Sequence, residues 1–176
     1  MLPSISLPVA IAPVFFFVVV FKVALLVLFG VAVRVRGLFG GGAPPRVNNS
    51  QWEHMKVYYL NSVTSGIYLG PRGVTDTWNL HHVRESYACY DRIIENMIIF
   101  ENVNPNRVYL LGYSAGGDAA YSVPARAADR WAAAAMSAGH PNGVRPDNYA
   151  SLAFLIQLGA RDAAYKRNQV AAEYHV

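Results

Sequence analysis

The residues best suited to do chemistry in this chain are Gly112-Tyr113-Ser114-Ala115-Gly116. The pattern G-x-S-x-G puts a serine on a sharp turn between a strand and a helix, with its oxygen projecting out of a sheet. Glycines on either side let neighbouring backbone approach without side-chain clashes. The helix that follows would aim free N–H groups and the positive end of its dipole at a developing oxyanion. Such a serine can attack an acyl carbonyl if a base takes its proton and a carboxylate orients the base. The flanking residues suit the turn. Arg107 to Leu111 reads as a buried strand, and the run from Ala115 to Val123 is small and helix-compatible before Pro124.

Where a G-x-S-x-G turn is used this way, the acid follows the serine in the chain and the histidine follows the acid. Leu152 to Leu158 is an apolar run bounded by Gly159, and Gly159-Ala160-Arg161-Asp162 follows it directly. That makes Asp162 the candidate acid, beside the plainer reading of a salt-bridged or helix-capping aspartate. Only His175 lies beyond Asp162, on a segment from Tyr165 to Tyr174 with a helical pattern. His54, His81, His82 and His140 all precede the acid. His140, in Ala-Gly-His-Pro, follows a strand-like segment and would sit at the rim of a site. Both His140 and His175 read first as solvent-facing or structural histidines, so the base is the missing member. A second oxyanion donor would come from a glycine loop after an earlier strand. Leu38-Phe39-Gly40-Gly41-Gly42-Ala43-Pro44-Pro45 has that form, with Phe39 where such loops carry histidine. If this is the loop, Ala32 to Leu38 is a central strand; a flexible glycine linker is the alternative.

The elements that must hold these residues alternate. Gly66 to Gly70 is a short apolar run closed by Pro71, a strand. Glu85 to Glu101 repeats apolar residues at helical spacing, with Cys89, Ile93, Met97 and Phe100 on one face and Ile94 and Ile98 beside them. Asn104-Pro105-Asn106 turns the chain. Trp131 to Met136 is apolar and alanine-rich, a strand or a helix. Alternation of this kind implies an α/β fold: a mostly parallel sheet with helices on its faces.

Residues 1–33 stand apart, with Lys22 their only charge. Leu7 to Val33 is long enough to span a bilayer, which needs about 20 apolar residues. Against that, Pro8 and Pro13 sit near its start, Lys22 lies near its middle, and its valines and phenylalanines suit buried strands equally well. No Lys or Arg precedes the apolar region, so it is a poor signal peptide. Three readings stay open: a membrane span, buried strand with a loose leader, or a non-native leader. If it spans, Arg34, Arg36 and Arg46 place the rest of the chain in the cytoplasm; the sequence leaves localisation unknown, membrane-associated with a cytoplasmic C-terminal domain and cytoplasmic being the two expectations, and leaves secretion open. The expected boundary puts an apolar leader at 1–33 and a partial α/β domain at 34–176. On that boundary, deleting residues 1–30 should leave the domain folded.

Composition excludes other classes. With 176 residues the chain argues for one domain, and 53% hydrophobic against 15% charged residues excludes disorder. Cys89 is the single cysteine, so no intrachain disulfide and no multi-cysteine metal site can form. The net charge of +4 comes from basic residues spread through the chain, many beside acids, with no basic stripe. Nucleic acid is therefore not an expected partner.

From Leu38 onward the chain resembles the α/β-hydrolase esterases, in the phospholipase/carboxylesterase and polyester-depolymerase-like group. The resemblance rests on LFGGGAPP, GIYLGPRG with TWNLHH, NPNRVYLLGYSAGGDAAY, ADRWAAAAMSAGHPNG and LGARDAAYKRNQVAAEY. It implies Ser114 as nucleophile, Asp162 as acid, and backbone N–H groups of Ala115 and Gly41 as the oxyanion hole. It puts Arg72 and Trp78 near the pocket, where both residues also make sense as packing and salt-bridge residues, with His140 at the rim. It implies a small ester as substrate and neither metal nor organic cofactor. The family's histidine would follow a further helix and strand, so by this resemblance the domain is incomplete at its C-terminal end and a weak esterase or inactive. The alternative is a non-catalytic hydrolase-fold fragment or a membrane-tethered binding protein, associated with the membrane through residues 7–33.

Overall fold

The computed structural model describes residues 22–30, 44–58, 60–63 and 66–174. Within them lie strands β1 (Lys22–Gly30), β2 (Gly66–Leu69), β3 (Val103–Ser114), β4 (Ala133–Ser137) and β5 (Ala153–Gln157). Helices α1 (Pro45–Tyr58), α2 (Arg84–Glu101), α3 (Ala115–Ser122) and α4 (Arg167–Glu173) accompany them. The strands form one sheet in the order β2-β1-β3-β4-β5, and every pairing is parallel. A parallel pair cannot be closed by a hairpin, so the helical connections seen in the sequence pattern are what this sheet requires.

Part of the apolar leader belongs to the sheet. Lys22–Gly30 lies between β2 and β3, in register with β3 from Ala24 opposite Val108 to Gly30 opposite Ser114. Residues 22–30 therefore stand on the domain side of the boundary expected at residue 33, as strand and not as membrane helix. A strand with neighbours on both sides favours a β-branched, nearly unbroken apolar run, which is why it passes for a span in sequence. Ala32–Leu38, read as a central strand if the glycine run is the oxyanion loop, lies outside the described residues. Residues 1–21 and 31–43 lie outside the described residues. Among those described, no helix is long and apolar enough to cross a membrane.

The main core lies on one face. Val108, Leu110, Ala134 and Met136 point from β3 and β4 against Tyr90 and Ile94 of α2 and Ala119, Ala120 and Tyr121 of α3. Ile67 and Leu69 of β2 pack on the same cluster. Side chains alternate along a strand, so Tyr68 points the other way, where its hydroxyl donates to the Met55 carbonyl of α1. Helices thus cover both faces. Over β3 to β5, Tyr109, Leu111 and Leu155 line a shallow apolar depression on that second face.

Two sequence readings shift in detail. The buried stripe of α2 is Ser86, Tyr90 and Ile94, while Cys89 and Phe100 face solvent. Tyr90 sets that rotation, because its hydroxyl meets buried His81 Nδ1 at 2.9 Å. The Asn104-Pro105-Asn106 turn is a register shift inside β3: Lys22 pairs with Val103, and Ala24 next with Val108. Asn102, left-handed at φ 54°, ends α2, and its N–H donates to the Met97 carbonyl.

Candidate functional site

Parallel strands send the loops that follow them to one edge of the sheet, the edge where open α/β sheets bind ligands. Ser114 ends β3 there and precedes α3 with φ 57° and ψ −120°, outside the helix and strand wells. A non-glycine residue at positive φ in a sparsely populated region stores on the order of 1–3 kcal/mol of strain. The flanking glycines explain how the turn closes. A Cβ on Gly112 would stand 1.9 Å from the Gly116 carbonyl oxygen, so the strand and the first helical turn touch backbone to backbone. Gly112→Ala is expected to cost about 3 kcal/mol or more, since neither backbone can yield cheaply. A urea titration of the variant beside the parent chain measures it.

The first turn of α3 is also locked to the loop after β4. A Cβ on Gly139 would lie 2.4 Å from the Gly117 carbonyl carbon. Beside this contact Asp118, 8% exposed, accepts from the His140 backbone N–H at 2.7 Å and from Asn142 Nδ2 at 3.0 Å. Burial pushes its carboxyl up from the usual range, opposed by those two hydrogen bonds. Sequence reasoning passed over Asp118, though a carboxylate within the small, apolar run after Ser114 was a visible signal.

Asp162 lies in the loop after β5, on the same edge as Ser114, with β4 between their strands. Two strand spacings put about 10 Å between the strand ends. Asp162 Oδ2 is 3.8 Å from Arg167 Nη1, and its carbonyl accepts from the Asn168 N–H at 3.1 Å. His140 follows β4 on this edge, and its Nδ1 receives the Asn142 N–H at 2.9 Å. Ala115, 2% exposed, opens α3 directly after the serine. Gly41 and His175 lie outside the described residues. Gly30 stands beside Ser114 in the register. Among the described residues, no side chain is hydrogen-bonded to Ser114 Oγ, and no group of three His, Cys, Asp or Glu side chains is placed to hold a metal.

Arg72 and Trp78 occupy the loop after β2, also on this edge. The Arg72 guanidinium donates to the Gly73 and Thr75 carbonyls, to Asn49 and to Asp76, so it organises its own loop. Hydrogen bonds from Asn48 first and Arg72 second hold the Asp76 carboxyl below its usual range. Trp78 meets the His82 ring edge-on at 5.1 Å. Burial lowers His82 to about 4. The folded chain therefore favours neutral His82. That stability is full above about 6.5, the unfolded value, and is lost as pH falls towards about 4. After allowance for partial exposure the loss is on the order of 2 kcal/mol. His82→Phe keeps the ring contact and should flatten the acid side of a stability–pH profile between pH 7 and 4, read from urea midpoints.

The fold is that of the α/β hydrolases. A solved structure described as a thermostable esterase superposes with a TM-score of 0.58 at 15% identity, over 88% of this chain. This chain spans 42% of that esterase's length. At this identity the likeness shows the fold. No protein-family model matches the chain, and no curated protein matches it.

Proposed function

We propose that the chain carries the nucleophile half of a serine ester hydrolase, with Ser114 attacking the ester carbonyl and Asp162 orienting the base. The carrying observation is the backbone of Ser114: a strained strand-to-helix junction at the carboxyl edge, with Gly112 packed on Gly116 beneath it. An ordinary glycine turn has no need of a serine at φ 57°. The Ala115 N–H would be one oxyanion donor and Gly41 the other, the latter supported by the register of Gly30 beside Ser114. Attack forms the bond from Oγ to the carbonyl carbon, the alkoxide leaves with the serine proton, and water later releases the acid. A small ester is the substrate, and the chemistry asks for no metal.

The base is the open position. Among the described residues no histidine is bonded to Ser114, which favours a second reading: a hydrolase fold that binds and does not turn over. One experiment separates the two. The chain is incubated with an activated aryl ester, quenched in acid, and mapped by mass spectrometry. Acyl mass on the peptide containing Ser114, absent in Ser114→Ala, supports the nucleophile. No acylation after prolonged incubation leaves the binding reading.

A further inference from the structure

The loop after β4 carries three left-handed residues, Ala138 at φ 51°, Asn142 at φ 49° and Gly143 at φ 85°. Two of them are not glycine, and such conformations last only where the surroundings fix them. The fixing contact is Asp118, in the first turn of α3. Its two carboxylate oxygens divide the work: Oδ1 accepts the His140 main-chain N–H at 2.7 Å, and Oδ2 accepts from Asn142 Nδ2 at 3.0 Å. The same Nδ2 lies 3.1 Å from the His140 carbonyl oxygen, so the amide of Asn142 is oriented from both sides. Held this way, Asn142 meets the His140 ring twice. Its main-chain N–H lies 2.9 Å from Nδ1, and its Oδ1 lies 3.0 Å from the same nitrogen.

These two contacts compete for the ring proton. A proton on Nδ1 would suit Oδ1, but it would set two hydrogens against each other at the main-chain N–H. That donor is fixed by the backbone and needs an acceptor, whereas Oδ1 belongs to an exposed residue, where water can serve it. Nδ1 is therefore the acceptor, and the neutral ring carries its proton on Nε2. Among the described residues, nothing is hydrogen-bonded to that Nε2–H. A serine triad needs the reverse: the proton on Nδ1, held by the acid, and a bare Nε2 at the hydroxyl. Ser137 pairs with Tyr113, so the His140 loop starts level with the serine turn. We propose that Asp118 is a positioning residue that, through Asn142, fixes His140 in its Nε2–H form and so stations a hydrogen-bond donor, and not a base, at the serine edge. Its bearing on ester chemistry rests on Ser114 as nucleophile; the position of the proton does not.

The test uses the full chain, uniformly ¹⁵N-labelled and read by NMR at about pH 8.5, above the ordinary histidine range. The His140 ring signals are assigned by their loss in His140→Gln. Nδ1 is expected as the unprotonated nitrogen and Nε2 as the protonated one, with a preference of about tenfold, the worth of one hydrogen bond. A coupling across the bond from the Asn142 amide nitrogen to Nδ1 should accompany it. Asp118→Asn keeps the shape and still accepts from the His140 N–H, but it turns an amide donor on Asn142 Nδ2. The preference is then expected to fall by about threefold or more, and the two ring signals to draw together. Circular dichroism checks the fold. If Asp118→Asn does not fold, Asn142→Gly breaks the same bond from the other side, glycine being at ease at φ 49°, and the same fall is expected. A residue that only stabilised the fold would lower the urea midpoint and leave the ring signals in place. Unmoved ring signals in a folded variant would overturn the proposal, and so would a protonated Nδ1 in the parent chain. Neither readout involves Ser114, so the acylation experiment judges the nucleophile separately.

Discussion

A chain lacking residues 1–30 is expected to lose cooperative folding. β1 lies inside the sheet, hydrogen-bonded to β2 on one side and to β3 from Val108 to Ser114 on the other. Its removal strands β2 and bares a row of backbone donors and acceptors on β3 beside the buried Val108 and Leu110. Each such group shielded from water and left unpaired costs about 1–3 kcal/mol. Several together exceed the roughly 5–15 kcal/mol by which a domain is stable. The comparison is a urea titration followed by circular dichroism, full chain against deletion. A retained sigmoidal transition would mean that β2 and β3 close the gap without β1. The outcome runs opposite to the sequence expectation that this segment is detachable.

The second large effect concerns Ser114. The 176-residue chain is expected to react slowly with a fluorophosphonate, and Ser114→Ala to remove what labelling there is. Loss of the base from a serine triad costs on the order of 10⁶ in turnover, with roughly 10³–10⁴ over water left to the oxyanion hole and binding. Rapid stoichiometric labelling that disappears in Ser114→Ala would show that a base reaches the serine. His140→Ala and His175→Ala would then say which histidine it is. Gel fluorescence against time reads all four chains.

The elements around the serine were legible because several local signals agreed there. Val108 to Leu111 is an apolar run opened by β-branched Val108 and aromatic Tyr109, and small residues follow at helical density. The loop after β5 was legible for the same reason, a short apolar run closed by glycine. What misled was any segment whose burial depends on distant partners. Val23 to Phe29 is equally apolar in a membrane and between two strands, and only its pairing with β2 and β3 decides. The face of α2 was misjudged by one step of the helix, since Tyr90 is drawn inward by His81, nine residues away in the preceding loop. Asp118 stood out as a carboxylate within a small-residue helix, but its two donors arrive from residues 140 and 142, more than twenty positions away in the chain.

The register of β1 also limits how this chain can drift over generations. Gly30 sits level with Ser114, and the glycine run begins ten residues further on. A single codon gained or lost between positions 24 and 30 would turn every following strand residue to the opposite side of the sheet. It would also move the end of β1 by about 3.3 Å relative to the serine. Substitutions among Val, Leu, Ile and Phe leave that alignment alone. The strand can therefore change its letters freely within one chemical alphabet, while its length is held by a serine more than eighty residues downstream.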